Sequence, residues 1–256
     1  MEIQDRAAIV TGAGTGVGRA TALKLASGGC AVVVNYRRSQ EAAEQVAEEA
    51  RAQGVDAFAH RCDVTDDADC RELVVAAVDR FGRLDILVNN AGTTHFIPHG
   101  DLDKVTPEVW QQIMAVNVAG PFQCTRAAKP AIEKSGGGEV VNVSSVAGLI
   151  GSGSSIPYCA SKAALNSLTV TLARVCAPSI RVNAVAPGFI DGSWLKQGLG
   201  PAFDAIKQAV TSRAALGRVC TPDDIADAIL SFITGSDLVT GNILPVEGGM
   251  IIGSGV

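Results

Sequence analysis

The chain has 256 residues, of which 47% are hydrophobic and 18% charged, the profile of an ordinary soluble globular protein near the upper size for one core. A net charge of −5 argues against a general nucleic-acid or anionic-membrane surface. Seven scattered cysteines without a Cys-x-x-Cys pair, and three histidines (His60, His95, His99) without ligand spacing, argue against structural disulfides and against a metal site.

Taken from the amino terminus, short apolar runs alternate with amphipathic stretches. Met1–Arg6 lacks the basic start and apolar run of a signal peptide, and no apolar stretch approaches about 18 residues, so no membrane span and a cytoplasmic location are expected. Aromatic residues supply only 4%, so Val, Ile, Leu and Ala must build the interior, which favours parallel strands covered on both faces. Strands are expected at 7–11, 31–34, 55–61, 84–88, 139–143, 180–185 and 242–246. Helices are expected at 16–27, stopped by Gly28 and Gly29, at 39–52, at 66–81 and at 222–234. A long helix is expected over 106–134, bent or divided by Pro121 and Pro130, and a further one carries Tyr158 and Lys162. The stretch 188–200, with Trp194, Gly198 and Gly200, reads as irregular. This rhythm predicts a doubly wound parallel α/β sheet with helices on both faces, in one domain over 1–256 that includes a substrate loop at about 188–213.

Thr11-Gly-Ala-Gly-Thr-Gly-Val-Gly18 joins the first strand to the first helix. Glycines there permit positive φ and let the backbone approach a pyrophosphate seated on the N–H groups of the helix start. Gly12, Thr15, Gly16, Val17 and Gly18 are therefore cofactor candidates. The second strand ends Val34-Asn-Tyr-Arg-Arg38, with no carboxylate to take a ribose hydroxyl. Arg37 and Arg38 either offer fork-shaped donors to a 2′-phosphate or form a solvated pair at a helix start; NADP(H) is the expected cofactor, with NAD(H) the weaker alternative.

Tyr158 and Lys162 stand four residues apart, so on a helix they share a face. A cation beside a phenol favours the phenolate and is expected to lower the tyrosine pKa from about 10, preparing it to exchange a proton with an alcohol or carbonyl oxygen. Taken alone, such a spacing is more often an accidental surface pair.

With these motifs in order, the sequence resembles the short-chain dehydrogenase/reductases along essentially its whole length, most of all the branch of 3-oxoacyl-carrier-protein reductases, glucose dehydrogenases and carbonyl reductases. The matching residues are Thr11–Gly18, Asp63-Val64, Asn89-Asn-Ala-Gly92, Asn117, Ser144-Ser145, Tyr158 with Lys162, and Asn183-Ala-Val-Ala-Pro-Gly188. The resemblance implies a three-layer Rossmann fold of about seven strands in the order 3-2-1-4-5-6-7, and a homotetramer with one interface built from helices 106–128 and 158–176. It implies that Tyr158 is the general acid in reduction and that Lys162 tunes it and holds the nicotinamide ribose. Ser145 would hydrogen-bond the substrate oxygen, and Asn117 would anchor a water linking Lys162 to solvent. Asp63 and Val64 would hold the adenine, Asn90, Ala91 and Gly92 would pass the adenosine ribose, and Pro187, Gly188 and Ile190 would contact the nicotinamide.

The chain departs from that pattern in two places. Gly192 occupies the position of a threonine that caps the cofactor carboxamide, leaving Ser193 as a substitute. Ala177-Pro-Ser179 replaces a basic turn, and Gly136-Gly-Gly138 lies just beyond Lys134, which argues against an acyl carrier protein as partner. The substrate is expected between Thr94, His95, Phe96, Ser145, Ala147, Ser155, Trp194 and Leu195, an apolar pocket for a hydrophobic ketone. Trp194 reads equally as a packing or subunit-contact residue, and His95 and His99 also read as loop surface. The expected activity is NADPH-dependent, reversible reduction of a ketone or aldehyde to an alcohol. The rival readings are a 3-oxoacyl-thioester reductase, an NAD-linked alcohol or sugar dehydrogenase, and a nucleotide-binding regulator without turnover.

Overall fold

Seven parallel strands form the sheet of the computed structural model, which describes residues 1–253. They are β1 (Ala7–Val10), β2 (Ala31–Tyr36), β3 (Ala57–Arg61), β4 (Ile86–Asn89), β5 (Gly138–Val143), β6 (Ile180–Pro187) and β7 (Ile243–Val246), in the order β3-β2-β1-β4-β5-β6-β7.

Both faces are covered, as the continuous apolar runs require. Successive side chains of a strand point to opposite faces. Ala8, Val10, Val32, Val34, Ile86 and Val88 therefore pack under α1 (Gly16–Ser27), α2 (Gln40–Arg51) and α10 (Pro222–Thr234). Their alternates Ile9, Val33 and Leu87 pack under α3 (Asp67–Phe81), α5 (Gly120–Lys134) and α7 (Ile156–Cys176). The result is a three-layer, doubly wound fold, with the loops that follow the strand carboxyl ends gathered along one edge.

Caps set the helix limits. Asp66 accepts from the amides of Ala68 and Asp69 at the start of α3, and Gly82, at φ 74°, ends it. Thr221 and Asp224 form a reciprocal capping box on α10.

Two expectations need correction. The helix over 106–134 does divide, but neither proline divides it. α4 (Pro107–Met114) runs into a π-helical turn at Ala115–Ala119 and then into α5, where Pro121 sits in the first turn and Pro130 lies inside an unbroken helix. Nor is 188–200 irregular: Gly192 caps α8 (Ser193–Leu199), and after a short 3-10 turn the chain continues as α9 (Phe203–Arg213). The α6 turn (Ala147–Ile150) precedes α7.

Candidate active site

The glycine-rich loop leaves β1 and enters α1. Gly12 and Gly16 take φ of 61° and 55°, open to glycine without strain. A Cβ on Gly18 would stand 2.5 Å from both Asn90 Nδ2 and the Gly12 carbonyl, so only glycine fits there. Thr15 precedes the first turn without capping it through its side chain, which leaves the positive end of a twelve-residue helix open to an anion. The loop is braced from both sides. Asn35 Oδ1 accepts from the Gly12 amide at 3.1 Å, and Asn90 Nδ2 donates to the carbonyls of Thr11 and Gly12 at 2.9 and 3.0 Å. Thr11 Oγ1 returns the tie, accepting from the amides of Asn90 and Ala91. The sequence reading gave neither Thr11, which opens the loop motif, nor Asn35 a role; the one signal for each was its place near the end of a buried strand.

At the adenine end, Arg37 Nε lies 2.7 Å from Asp63 Oδ2, and Asp63 also accepts from the amide and hydroxyl of Thr65. Arg37 is therefore not a free cation; exposed Arg38 is the more available of the two. The Val64 side chain is packed in the core against the position where Gly120 lacks a Cβ, and its carbonyl accepts from Gln123. With the side chain and carbonyl committed, the backbone amide is the part of Val64 left to meet an adenine.

The four proton-transfer candidates come from three places: the π turn, the loop after β5, and α7. Ser155 caps α7 and accepts from the Tyr158 amide, and Pro157 occupies the first turn, so the helix that carries Tyr158 and Lys162 starts at a fixed place. Lys162 is only 4% exposed, and its Nζ donates to the Val143 carbonyl at the end of β5 at 2.8 Å. That Nζ lies 5.7 Å from the centre of the Tyr158 ring. Burial pushes the lysine pKa down to about 8. It also pushes the Tyr158 hydroxyl up to about 12, with a hydrogen bond to Ser145 working in the opposite direction. The shift therefore runs opposite to the expected lowering, because burial outweighs the hydrogen bond. The half-buried phenol is crowded by protein, and the ammonium is turned to a backbone carbonyl.

Asn117 sits in the π turn, wholly buried. It exchanges hydrogen bonds with Thr93, accepting from its amide at 2.8 Å and donating to its carbonyl at 3.0 Å, and it donates to Ser161 Oγ. Ser161 in turn donates to the Tyr158 carbonyl, a link the sequence reading missed because serine within a helix carries no signal of its own. A Cβ on Gly92 would lie 3.6 Å from Asn117 Oδ1 and 3.7 Å from Lys162 Nζ, so the absent side chain leaves the approach to both groups clear. Ser145 Oγ donates to the Pro187 carbonyl and accepts from the Ala147 amide. Ser144 is instead fixed to Asn166 and Lys162, behind the site. Gly188 is held against β7 by its amide, and Ile190 pairs with Cys220, while Ser193 is exposed at the start of α8.

Of the substrate candidates, the structure joins Phe96, Tyr158 and Trp194, with ring centres 5.9 Å apart for Phe96–Trp194 and 6.3 Å for Tyr158–Trp194. Leu195 is half-buried beside them on α8. Others fall away. Ser155 is spent on the cap, Ala147 is buried against Gly153, Thr94 is bonded to Ser154, and His95 turns to Gln112.

A doubly wound sheet whose carboxyl edge carries a glycine-lined anion seat beside a Ser-Tyr-Lys constellation defines a nucleotide-dependent oxidoreductase. The family described as enoyl-(acyl carrier protein) reductase matches residues 12–251. The chain is 46% identical over 94% of both chains to a Streptomyces violaceoruber protein named as a ketoacyl reductase of the granaticin polyketide synthase. It is 37% identical, over 96% of this chain and 98% of the relative, to the Staphylococcus aureus 3-oxoacyl-[acyl-carrier-protein] reductase FabG. Among solved structures, a 7α-hydroxysteroid dehydrogenase complexed with NADH and 7-oxo glycochenodeoxycholic acid superposes with a TM-score of 0.88 at 33% identity, covering 97% of this chain and 95% of that one. The chain belongs to the short-chain dehydrogenase/reductase family, close to its 3-oxoacyl-carrier-protein reductase branch. No helix among the described residues is long and apolar enough to cross a membrane.

Proposed function

We propose that this chain reduces a ketone or aldehyde to an alcohol, reversibly, with NADPH and with Tyr158 as the proton donor. The observation that carries the reading is the convergence of the Ser145 and Tyr158 hydroxyls, with Lys162 one turn along the same helix. When bound, a nicotinamide cofactor supplies the hydride. The loop at Gly12–Gly18, braced by Asn35 and Asn90, fits its pyrophosphate, and Lys162 beside Gly92 would hold a ribose.

Reduction builds negative charge on the carbonyl oxygen. Ser145 and Tyr158 stabilise that charge by donating hydrogen bonds, and Tyr158 completes the step by giving up its proton. A phenol held near 12 is fully protonated at neutral pH, as a donor must be. Lys162, its Nζ 5.7 Å from the ring centre, is the nearest cation to the phenolate that remains, and Asn117 with Ser161 fixes the helix turn that carries Tyr158. NADP(H) is favoured by the absence of an acidic residue at the end of β2 and by the exposed Arg38.

The test is NADPH oxidation with a panel of ketones, repeated with NADH and with Tyr158→Phe. Turnover faster with NADPH, and at least 100-fold slower in the variant, is expected. A Tyr158→Phe protein of undiminished rate, or a preference for NADH, overturns the corresponding part. A second reading, reduction of a 3-oxoacyl thioester, is favoured by the similarity to the two ketoacyl reductases. Faster turnover of an acetoacetyl thioester than of plain ketones selects it. A cytoplasmic homotetramer completes the proposal.

A further inference from the structure

We propose that the site takes a planar aromatic or fused-ring ketone, stacked on the open face of Trp194 with its carbonyl at the Tyr158 hydroxyl. The proposal rests on the carbonyl-reductase reading above and adds the class of substrate.

Trp194 is wedged between Phe96 and Tyr158, its ring plane inclined 59° to the first and 47° to the second, yet its indole remains 48% exposed. An indole fixed by two rings and still half in water presents a ready-made aromatic surface. Its position is built, not incidental. One helical turn along α8, Gly198 lacks the Cβ that would stand 1.9 Å from the Phe96 ring, so Phe96 beds into the helix there and steadies Trp194 from behind.

The polar side chains just before Phe96 in the chain are already paired. Thr94 and Ser154 bond to each other at 2.6 Å, and His95 pairs with Gln112. The α6 turn carries Leu149 and Ile150 outward, 45% and 46% exposed, and Gly148 lets it lie against the backbone of α7 at Lys162 and Ala163, one turn from Tyr158. Phe96, Tyr158 and Trp194 offer ring surface and, apart from the Tyr158 hydroxyl, few polar groups, so a flat, neutral, ring-bearing ketone fits them better than a flexible acyl chain. A stacked or edge-on ring pair adds roughly two- to tenfold in affinity beyond simple burial.

The test compares 2-tetralone with its saturated counterpart 2-decalone. Binding is read in the NADP⁺-saturated Trp110→Phe protein, where Trp194 is the only remaining tryptophan. The expected result is quenching of Trp194 fluorescence and a Kd about tenfold lower for 2-tetralone. The kinetic arm keeps Trp110: Trp194→Ala should lower kcat/KM for 2-tetralone at least tenfold and for 2-decalone less than threefold, with most of the loss recovered in Trp194→Phe. Equal Kd values, or an equal loss on both ketones, reduces Trp194 to packing and overturns the proposal. Tight, quenching binding of 2-tetralone without NADPH oxidation supports it and removes the reductase reading instead; turnover of both ketones with equal kcat/KM does the reverse.

Discussion

Lys162 shows what burial does to a group that spacing alone cannot assess. Four residues from Tyr158, it was legible as a partner for the phenol, and the structure does place both on one side of α7. What the spacing hid is that the amine is nearly closed off from water and committed to the Val143 carbonyl, so its pKa falls to about 8 while that of the phenol climbs to about 12. Arg37 is a parallel case. Its position at the end of β2 was readable, but its ion pair reaches Asp63, 26 positions away, and no local pattern encodes that contact. The lowered lysine value has a kinetic consequence in the proposed mechanism. The free protein loses the Lys162 charge as pH rises through about 8, so kcat/KM for NADPH should be level at lower pH and fall above that point. Lys162→Arg, charged at every accessible pH, should abolish the break; a profile without a break near 8, or the same break in the variant, sinks the assignment. The stability sign follows from the same shift. Between about 8 and the ordinary lysine range the unfolded chain holds the extra proton, so this group's contribution to stability increases with pH across that window and is least below it.

Elements were legible where composition and period agree. The buried strands, α1 with its glycine stop and α10 with its threonine start lie close to their expected limits, because each boundary is made by a local residue. α8 and α9 were missed since the segment is short, interrupted by Gly198, Gly200 and Pro201, and carries no sustained apolar stripe. The π turn was missed for a different reason: one surplus residue in a helix changes no residue type, only phase. α10 offers a test of the cap. Thr221→Ala removes the acceptor for the Asp224 amide while leaving Asp224 paired with Arg218. The cost should be about 1 kcal/mol, seen as a Tm lower by roughly 2–4 °C with unchanged kcat, and an unaltered Tm would show that the cap is dispensable.

At the scale of the molecule, sheet order and layering followed from the alternation of strands and helices, because crossover connections have a fixed hand and both faces of the sheet must be covered. Assembly was legible only through resemblance. The structure adds that α4, α5 and α7 carry Trp110, Phe122, Val170 and Val175 on their outer surfaces, each more than a third exposed. Such a group suits an interface between copies, and the proposed homotetramer predicts a light-scattering mass near four subunits that drops when Phe122 and Val170 are both replaced by Asp. A monomer at tens of micromolar would refute it. The turn at 115–119 also separates two kinds of change in this chain. Substitutions around Asn117 alter a side chain, but loss of a single residue there would swing everything beyond by about 100°. Phe122 would leave the outer surface, and Cys124, Ala128 and Ile132 would leave the core together. That stretch is therefore intolerant of length changes even where it tolerates new side chains, and insertions or deletions should be absent from it in any working variant.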